Sequence, residues 1–329
     1  MDELAQIAQK LVSDNKGILA ADESEGTIQK RFDSVGIENT EGNRIKYREA
    51  LFSAPELEKY ISGVILFDET VWQETADGTS LHDLIAQKGI MPGVKVDGGK
   101  EPFPNSEKES LTVGLDGLGD RLHKYHAHGM KFTKWRAVTV IGEGLPTLEV
   151  QKENARRLAE FARLSQEYHL VPIVEPEVLM NGAHDMGKCE EVSIQTLTEV
   201  FSALEKQQVD LSAILLKTNF VVPGKDNEVS VDPAEVARKT LRALTKTVPP
   251  PVPGVVFLSG GLKPEIATDC LAAVNKLAKN PDWQLSFSFG RALQAPSLEA
   301  FANNPNDVKL IQEALITRAR LNSEVRKHE

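Results

Sequence analysis

The chain has 329 residues, 41% of them hydrophobic and 26% charged, enough apolar material for a sizeable core and too little bias for disorder. A formal net charge of −10 argues against nucleic acid or an anionic membrane surface as the main partner, so any anion site has to be assembled locally. Two isolated cysteines, Cys189 and Cys270, cannot build a disulfide framework and point to a reducing, intracellular setting.

Met1 to Gly17 carries Asp2 and Glu3, then Leu4, Ile7, Ala8, Leu11 and Val12 at helical spacing with Gly17 as a stop. This predicts an amphipathic helix and not a secretory signal, which needs a basic start and a continuous apolar stretch. Nowhere does the chain approach the roughly 20 apolar residues that span a bilayer. Eight short apolar runs follow: 17–21, 61–67, 92–96, 130–140, 171–174, 213–216, 255–258 and 285–289. Between them, helical periodicity covers 44–52, 115–129, 148–169, 192–206, 233–246, 264–279 and 307–327. Asp232-Pro233 and Lys263-Pro264-Glu265 are helix starts, and the proline-rich stretch from Pro249 to Gly254 reads as a connector. Strands alternating with helices predict a parallel sheet. It could be open and doubly wound or closed, but the Gly-x-Gly-x-x-Gly turn of a dinucleotide fold is missing after the first strand. The expected fold is an α/β, (β/α)8 TIM barrel with an N-terminal extra helix, residues 1–329 forming a single domain.

In such a barrel the chemistry gathers at the carboxyl ends of the strands. Here those ends read Asp22-Glu23-Ser24, Lys95-Val96-Asp97, Lys134-Trp135-Arg136, Glu175-Pro176-Glu177, Lys217, Ser259-Gly260-Gly261 and Ser288-Phe289-Gly290-Arg291. Solvated strand ends are polar too. Lys134, Glu175 and Lys217 stand apart because their neighbours should be buried. Lys217 ends the apolar run Ala213-Ile214-Leu215-Leu216, where an ammonium is costly without a partner or a task. Lys95, Lys134, Arg136, Lys217 and Arg291 converging at one mouth would focus a positive field on an anionic substrate. Ser259-Gly260-Gly261 and Gly290-Arg291 add backbone and guanidinium donors suited to phosphate. Burial and a second cation both disfavour an ammonium and expose a neutral amine. Such an amine can attack a ketone to give a Schiff base, an electron sink for cleaving the neighbouring C–C bond, with Glu175, Glu177 or Asp22 moving the protons.

Eight collinear blocks resemble the class I (Schiff-base) fructose-bisphosphate aldolases. They are residues 17–24 (Gly17 to Ser24), Glu38-Asn39-Thr40-Glu41, 63–67, Lys134-Trp135-Arg136, 173–177, Leu215-Leu216-Lys217, 257–261 and 289–293. The resemblance implies that Lys217 is the Schiff-base lysine and Glu175 the acid/base, with Asp22, Lys134 and Glu177 assisting. It implies Ser259, Gly260, Gly261, Ser288, Gly290 and Arg291 around one phosphate, with Arg136 also facing substrate. Around the other it implies Ser24, Thr27, Arg31, Arg44 and Lys95. It further implies a phosphorylated sugar as partner, no metal, no cofactor, a cytoplasmic location and a homotetramer. Thr218 stands where the family has proline, Thr27 where it has serine, and Phe289 where it has tyrosine. Many members carry a tail with a C-terminal tyrosine that aids proton exchange on the enamine. This sequence reads Arg326-Lys327-His328-Glu329 there, which leaves that transfer without an assigned group. Three rivals remain. A metal enzyme built on His123, His126 and His128 is opposed by their position before a strand, and full activity after chelation would eliminate it. A Schiff-base aldolase for another sugar, such as sedoheptulose bisphosphate, shares the motifs. A barrel that has lost catalysis and acts as a scaffold is opposed by the retention of Lys217, Glu175, Asp22 and Lys134 together.

Overall fold

A computed structural model describes residues 3–13, 15–104, 106–278 and 281–327. Met1, Asp2 and Asp14 of the first expected helix, Lys279 of the helix at 264–279, and His328-Glu329 lie outside the described residues. Eight parallel strands close into a barrel: β1 (Gly17–Ala21), β2 (Ile61–Leu66), β3 (Met91–Lys95), β4 (Phe132–Thr139), β5 (Val171–Val178), β6 (Leu215–Thr218), β7 (Gly254–Phe257) and β8 (Gln284–Phe289). Each strand pairs with the next in sequence, and β1 closes on β8 with Ile18 opposite Ser288. Among the described residues no helix is long and apolar enough to cross a membrane.

The strands look uniformly apolar in sequence, yet the period-2 alternation of side chains sorts them into two faces. Along β4, Phe132, Lys134, Arg136 and Val138 point inward, while Trp135 points out and stacks on Phe161, ring centroids 5.5 Å apart. The inward face changes character along its length. At the amino end Ile18, Ile65, Phe132, Ile173, Leu215 and Val256 form one apolar cluster. Two residues further on, the same faces carry Lys134, Glu175 and Lys217. The outward faces pack against the surrounding helices in a second, larger cluster.

Helix α1 (Glu3–Val12) is the plug of the amino end: Leu4, Ala8, Leu11 and Val12 join the inner apolar cluster, and the Ser62 hydroxyl donates to Leu11 O at 2.5 Å. The buried Arg326 guanidinium donates to Leu285 O at 2.9 Å and Val12 O at 2.9 Å, tying the last turn of the chain to the same floor. With its lower half filled, the barrel has its cleft at the carboxyl ends of the strands.

The remaining helices are α2 (Glu25–Asp33), α3 (Glu41–Phe52), α4 (Asp68–Val71), α5 (Leu81–Ala86), α6 (Leu118–Ala127), α7 (Leu148–Glu167), α8 (Met186–Lys206), α9 (Pro233–Thr247), α10 (Pro264–Leu277), α11 (Arg291–Asn303) and α12 (Val308–Glu324). The expected last helix, 307–327, is α12, while α11 precedes it in a stretch that carries no helical assignment from periodicity. Pro296 lies inside α11, and its apolar residues are spread around the axis. Helices α2, α4 and α5 are short, nine, four and six residues, which is why a pattern search passes over them. Helix α8 begins at Met186, six residues before the expected 192, because Asp185 caps it by accepting from Lys188 N at 2.7 Å.

Candidate active site

Four charged side chains form a chain across the barrel mouth. Lys134 Nζ lies 2.7 Å from Asp22 Oδ2 and 3.2 Å from Glu175 Oε2, and Glu175 Oε1 lies 3.2 Å from Lys217 Nζ. Lys134, Glu175 and Lys217 are 3%, 3% and 4% exposed, so this is a buried cluster whose two positive and two negative charges cancel. Neutrality is what allows it to be buried. Burial by itself pushes the Asp22 and Glu175 carboxyls up, but the Lys134 and Lys217 ammoniums outweigh it and hold both below the ordinary carboxylate range. Lys134 shows the converse: burial opposes its charge, and Asp22 and Glu175 hold it well above an ordinary lysine.

The partner of Lys217 corrects one expectation. A second cation was expected beside it; its ion-pair partner is instead the Glu175 carboxylate, and Lys134 stands on the far side of that carboxylate. Glu175 Oε2 is buried, and its contact with Lys134 Nζ is an ion pair without hydrogen-bond geometry. The strand ends are held in register by Asn219, whose Oδ1 accepts from Val178 N at 2.8 Å and so links β5 to β6 next to Glu177 and Lys217. Lys217 itself lies inside β6, not beyond it: the expected strand 213–216 begins at Leu215, Leu211–Ala213 being a short 3-10 turn.

These groups line a cleft of about 970 Å³. Of the residues expected at the site, Asp22, Ser24, Thr27, Arg31, Lys95, Lys134, Arg136, Glu175, Glu177, Lys217, Ser259, Gly260, Gly261, Ser288, Gly290 and Arg291 all border it. Arg44 does not. Its fork is occupied by Glu69, with Nε at 3.0 Å from Oε2, and its Nη1 donates to Asn39 Oδ1 at 3.0 Å. It braces α3 against α4, and the assignment to a phosphate is corrected accordingly.

The residues expected around the two phosphates fall into two groups, and one residue changes sides. Gly260 and Gly261 take positive φ (58° and 103°), which lets the turn after β7 present its backbone to the cleft. The space beside Gly261 is filled by Arg291, whose Nη2 lies 3.4 Å from where a β-carbon would be. Gly290 opens α11, a 13-residue helix whose amino end adds N–H groups, and the buried Ser288 hydroxyl has no hydrogen-bond partner. Arg31, expected with the second group, has its Nη2 3.4 Å from the corresponding point at Gly290 and therefore belongs with the first. It is held there by Glu23, which also accepts from Gln294 Nε2 at 2.8 Å. The second group is Ser24 and Thr27 at the start of α2, their hydroxyls 3.1 Å apart, with Lys95, which is paired to Asp97 at 2.5 Å. Arg136 pairs with Glu177 at 2.5 Å.

Sequence reasoning passed over Lys30, Lys100 and Lys225, which also border the cleft. Only the rule that the loops after barrel strands build the site could have found Lys225, which follows β6. His123 and His126 lie on α6, where the His126 ring faces His169 at 5.7 Å. Among the described residues no group of three or more His, Cys, Asp or Glu side chains is placed to hold a metal.

Comparisons with known proteins agree with this geometry. A family model described as fructose-bisphosphate aldolase class-I matches residues 3–329. Fructose-bisphosphate aldolase 1 of Toxoplasma gondii is 49% identical over 98% of this chain and 89% of its own length. The cytosolic fructose-bisphosphate aldolase 4 of Arabidopsis thaliana is 48% identical over 98% of this chain and 82% of its own. A solved fructose-bisphosphate aldolase from Plasmodium falciparum, in complex with TRAP and a small-molecule inhibitor, superposes with a TM-score of 0.96. It is 44% identical, covering 98% of this chain and 94% of that one. A lysine-rich, neutralised cluster at the mouth of a closed barrel and near full-length similarity to these enzymes lead to one assignment: the chain belongs to the class I fructose-bisphosphate aldolase family.

Proposed function

We propose that this chain cleaves fructose 1,6-bisphosphate reversibly to dihydroxyacetone phosphate and glyceraldehyde 3-phosphate with Lys217 as the Schiff-base nucleophile. The observation that carries the assignment of roles is the Glu175 carboxylate held between Lys217 and Lys134 at 3.2 Å from each. Glu175 is the base nearest Lys217 Nζ, so it takes the proton whose loss frees the amine lone pair to attack the C2 ketone. The carbinolamine loses its hydroxyl as water when Glu175 returns that proton, leaving an iminium. Glu175, ionised again, accepts the proton of the C4 hydroxyl. The C3–C4 electron pair flows into the iminium, giving an enamine and releasing glyceraldehyde 3-phosphate. Lys134, fixed between Asp22 and Glu175, stabilises the negative charge that develops on the C4 oxygen. Protonation of the enamine at C3 and hydrolysis then release dihydroxyacetone phosphate and regenerate Lys217.

The C1 phosphate hangs one carbon from C2 and so suits the donors after β7, the strand next to β6, together with Ser288, Gly290, Arg291 and Arg31. The C6 phosphate, four carbons away, suits Ser24, Thr27 and Lys95 across the mouth. Borohydride reduction in the presence of dihydroxyacetone phosphate, followed by peptide mass mapping, tests the assignment. The expected adduct is on Lys217, and a reduced adduct on any other lysine would overturn it.

The cytosolic and cytoplasmic names of relatives support a location, and the resemblance to the family supports an assembly. The chain acts in the cytoplasm, as one barrel unit, and assembles as a homotetramer. Light scattering on the purified protein is expected to give four times the 36.2 kDa chain mass, and a monomeric mass would refute the assembly.

A further inference from the structure

Most cations at the mouth of the cleft are matched to carboxylates: Lys95 to Asp97, Arg31 to Glu23, Arg136 to Glu177, Lys134 and Lys217 to the central cluster. Lys30, Lys100, Arg291 and Lys225 border the cleft without an ion-pair partner among the described residues, and Lys225 is the one carried by the loop after β6. The adjoining Asp226 spends its carboxylate elsewhere, accepting from Gly182 N at 3.2 Å.

The loop that carries Lys225 is not a loose tip. It is clasped backbone to backbone against the loop after β5: Gly224 N donates to His184 O at 2.8 Å, Lys225 N to Met180 O at 2.7 Å and Asp226 N to Gly182 O at 3.0 Å. Gly224 makes the clasp possible, since a β-carbon there would stand 2.1 Å from Gly182 O. Met180 in turn borders the Ser-Gly-Gly turn, its sulfur 3.9 Å from the β-carbon position of Gly261, the same point that Arg291 approaches to 3.4 Å. The clasp therefore sets Lys225 on the side of the mouth where the first phosphate group gathers. An ammonium without an ion-pair partner at this side of the mouth attracts a dianion and is itself relieved by one.

We propose that Lys225 is a substrate-binding and specificity residue that engages the phosphate next to the reacting ketone, reinforcing the Ser259–Gly261 turn and Arg291. This rests on the reading of Lys217 as the Schiff-base lysine only in naming which phosphate is met. Because the side chain is exposed and makes no hydrogen bond or ion pair among the described residues, its substitution leaves the fold intact.

Steady-state kinetics of K225M on two substrates test it. Fructose 1,6-bisphosphate and fructose 1-phosphate share the C1 phosphate, so KM is expected to rise roughly fivefold for both, with the loss carried mainly by KM. K225R should restore most of the affinity, and added salt should narrow the gap between wild type and K225M. An unchanged KM for either substrate overturns the proposal, as does a rise for the bisphosphate alone, which would put Lys225 at the far phosphate. Calorimetric titration with dihydroxyacetone phosphate separates this claim from the nucleophile assignment. Weaker binding by K225M supports Lys225 even if no adduct were trapped on Lys217, and equal binding by the two proteins refutes it even if the adduct forms.

Discussion

Replacing Lys217 with methionine abolishes turnover and leaves a folded protein. The loss in kcat should be on the order of 10⁴-fold or more, because no other group can supply the covalent electron sink and the reaction would have to proceed through an unstabilised carbanion. Methionine fills the same unbranched volume in a site only 4% exposed, so no cavity opens. The charge balance is the risk. Removing the ammonium leaves the cluster one charge short, but Glu175 keeps Lys134 at 3.2 Å and is not orphaned. The cost should therefore fall below the roughly 3–5 kcal/mol of a broken buried pair. Circular dichroism melting checks the fold, a coupled assay checks turnover, and borohydride trapping should yield no adduct. Cleavage within tenfold of the wild-type rate would mean that the nucleophile lies elsewhere.

What made Lys217 legible is the way charge enters the inner face of the strands. In β4, β5 and β6 the inward positions run from Phe132, Ile173 and Leu215 to Lys134, Glu175 and Lys217 within two residues. A charged residue two positions after a buried apolar one, in a strand with no turn between, is visible in sequence. What it touches is not. That Lys217 meets a carboxylate rather than a second cation depends on how neighbouring strands stagger, and the sequence of β6 alone carries no record of β5.

The misassigned and missed residues share a cause. Arg44 lies within a helix and close to the matching blocks, but Glu69, 25 residues away, captures its fork. Arg31 changes sides because α2 lays it across to Gly290 at the end of β8, a contact of 259 residues in sequence separation (290 less 31). Lys225 sits in a loop whose placement is decided by backbone bonds to another loop, which leave no periodic signal. Strand ends obey a rule of the fold; loop contacts obey only the tertiary structure.

Glu175→Gln carries the second large effect. Glutamine keeps the shape and can still accept a hydrogen bond, but it cannot take or return a proton. The dehydration of the carbinolamine loses its acid and the removal of the C4 hydroxyl proton its base, and kcat is expected to fall by roughly 10²- to 10⁴-fold. Trapping by borohydride should slow in parallel while still ending on Lys217, since the amine remains. The same substitution has a pH signature. In the wild type the Lys134 and Lys217 ammoniums hold Glu175 below its unfolded value of 4.5 in spite of burial. A carboxyl depressed in this way contributes stability that is fully present above that value and is lost as pH falls through its folded one. The variant lacks that contribution and leaves two buried ammoniums sharing Asp22 alone. Its melting temperature should therefore lie below the wild type at neutral pH, and the gap should close as the solution is acidified below pH 4.5. A gap that stayed constant into acid would show that Glu175 is not held ionised by the two lysines. A wild-type rate of trapping would show that it does not move the protons.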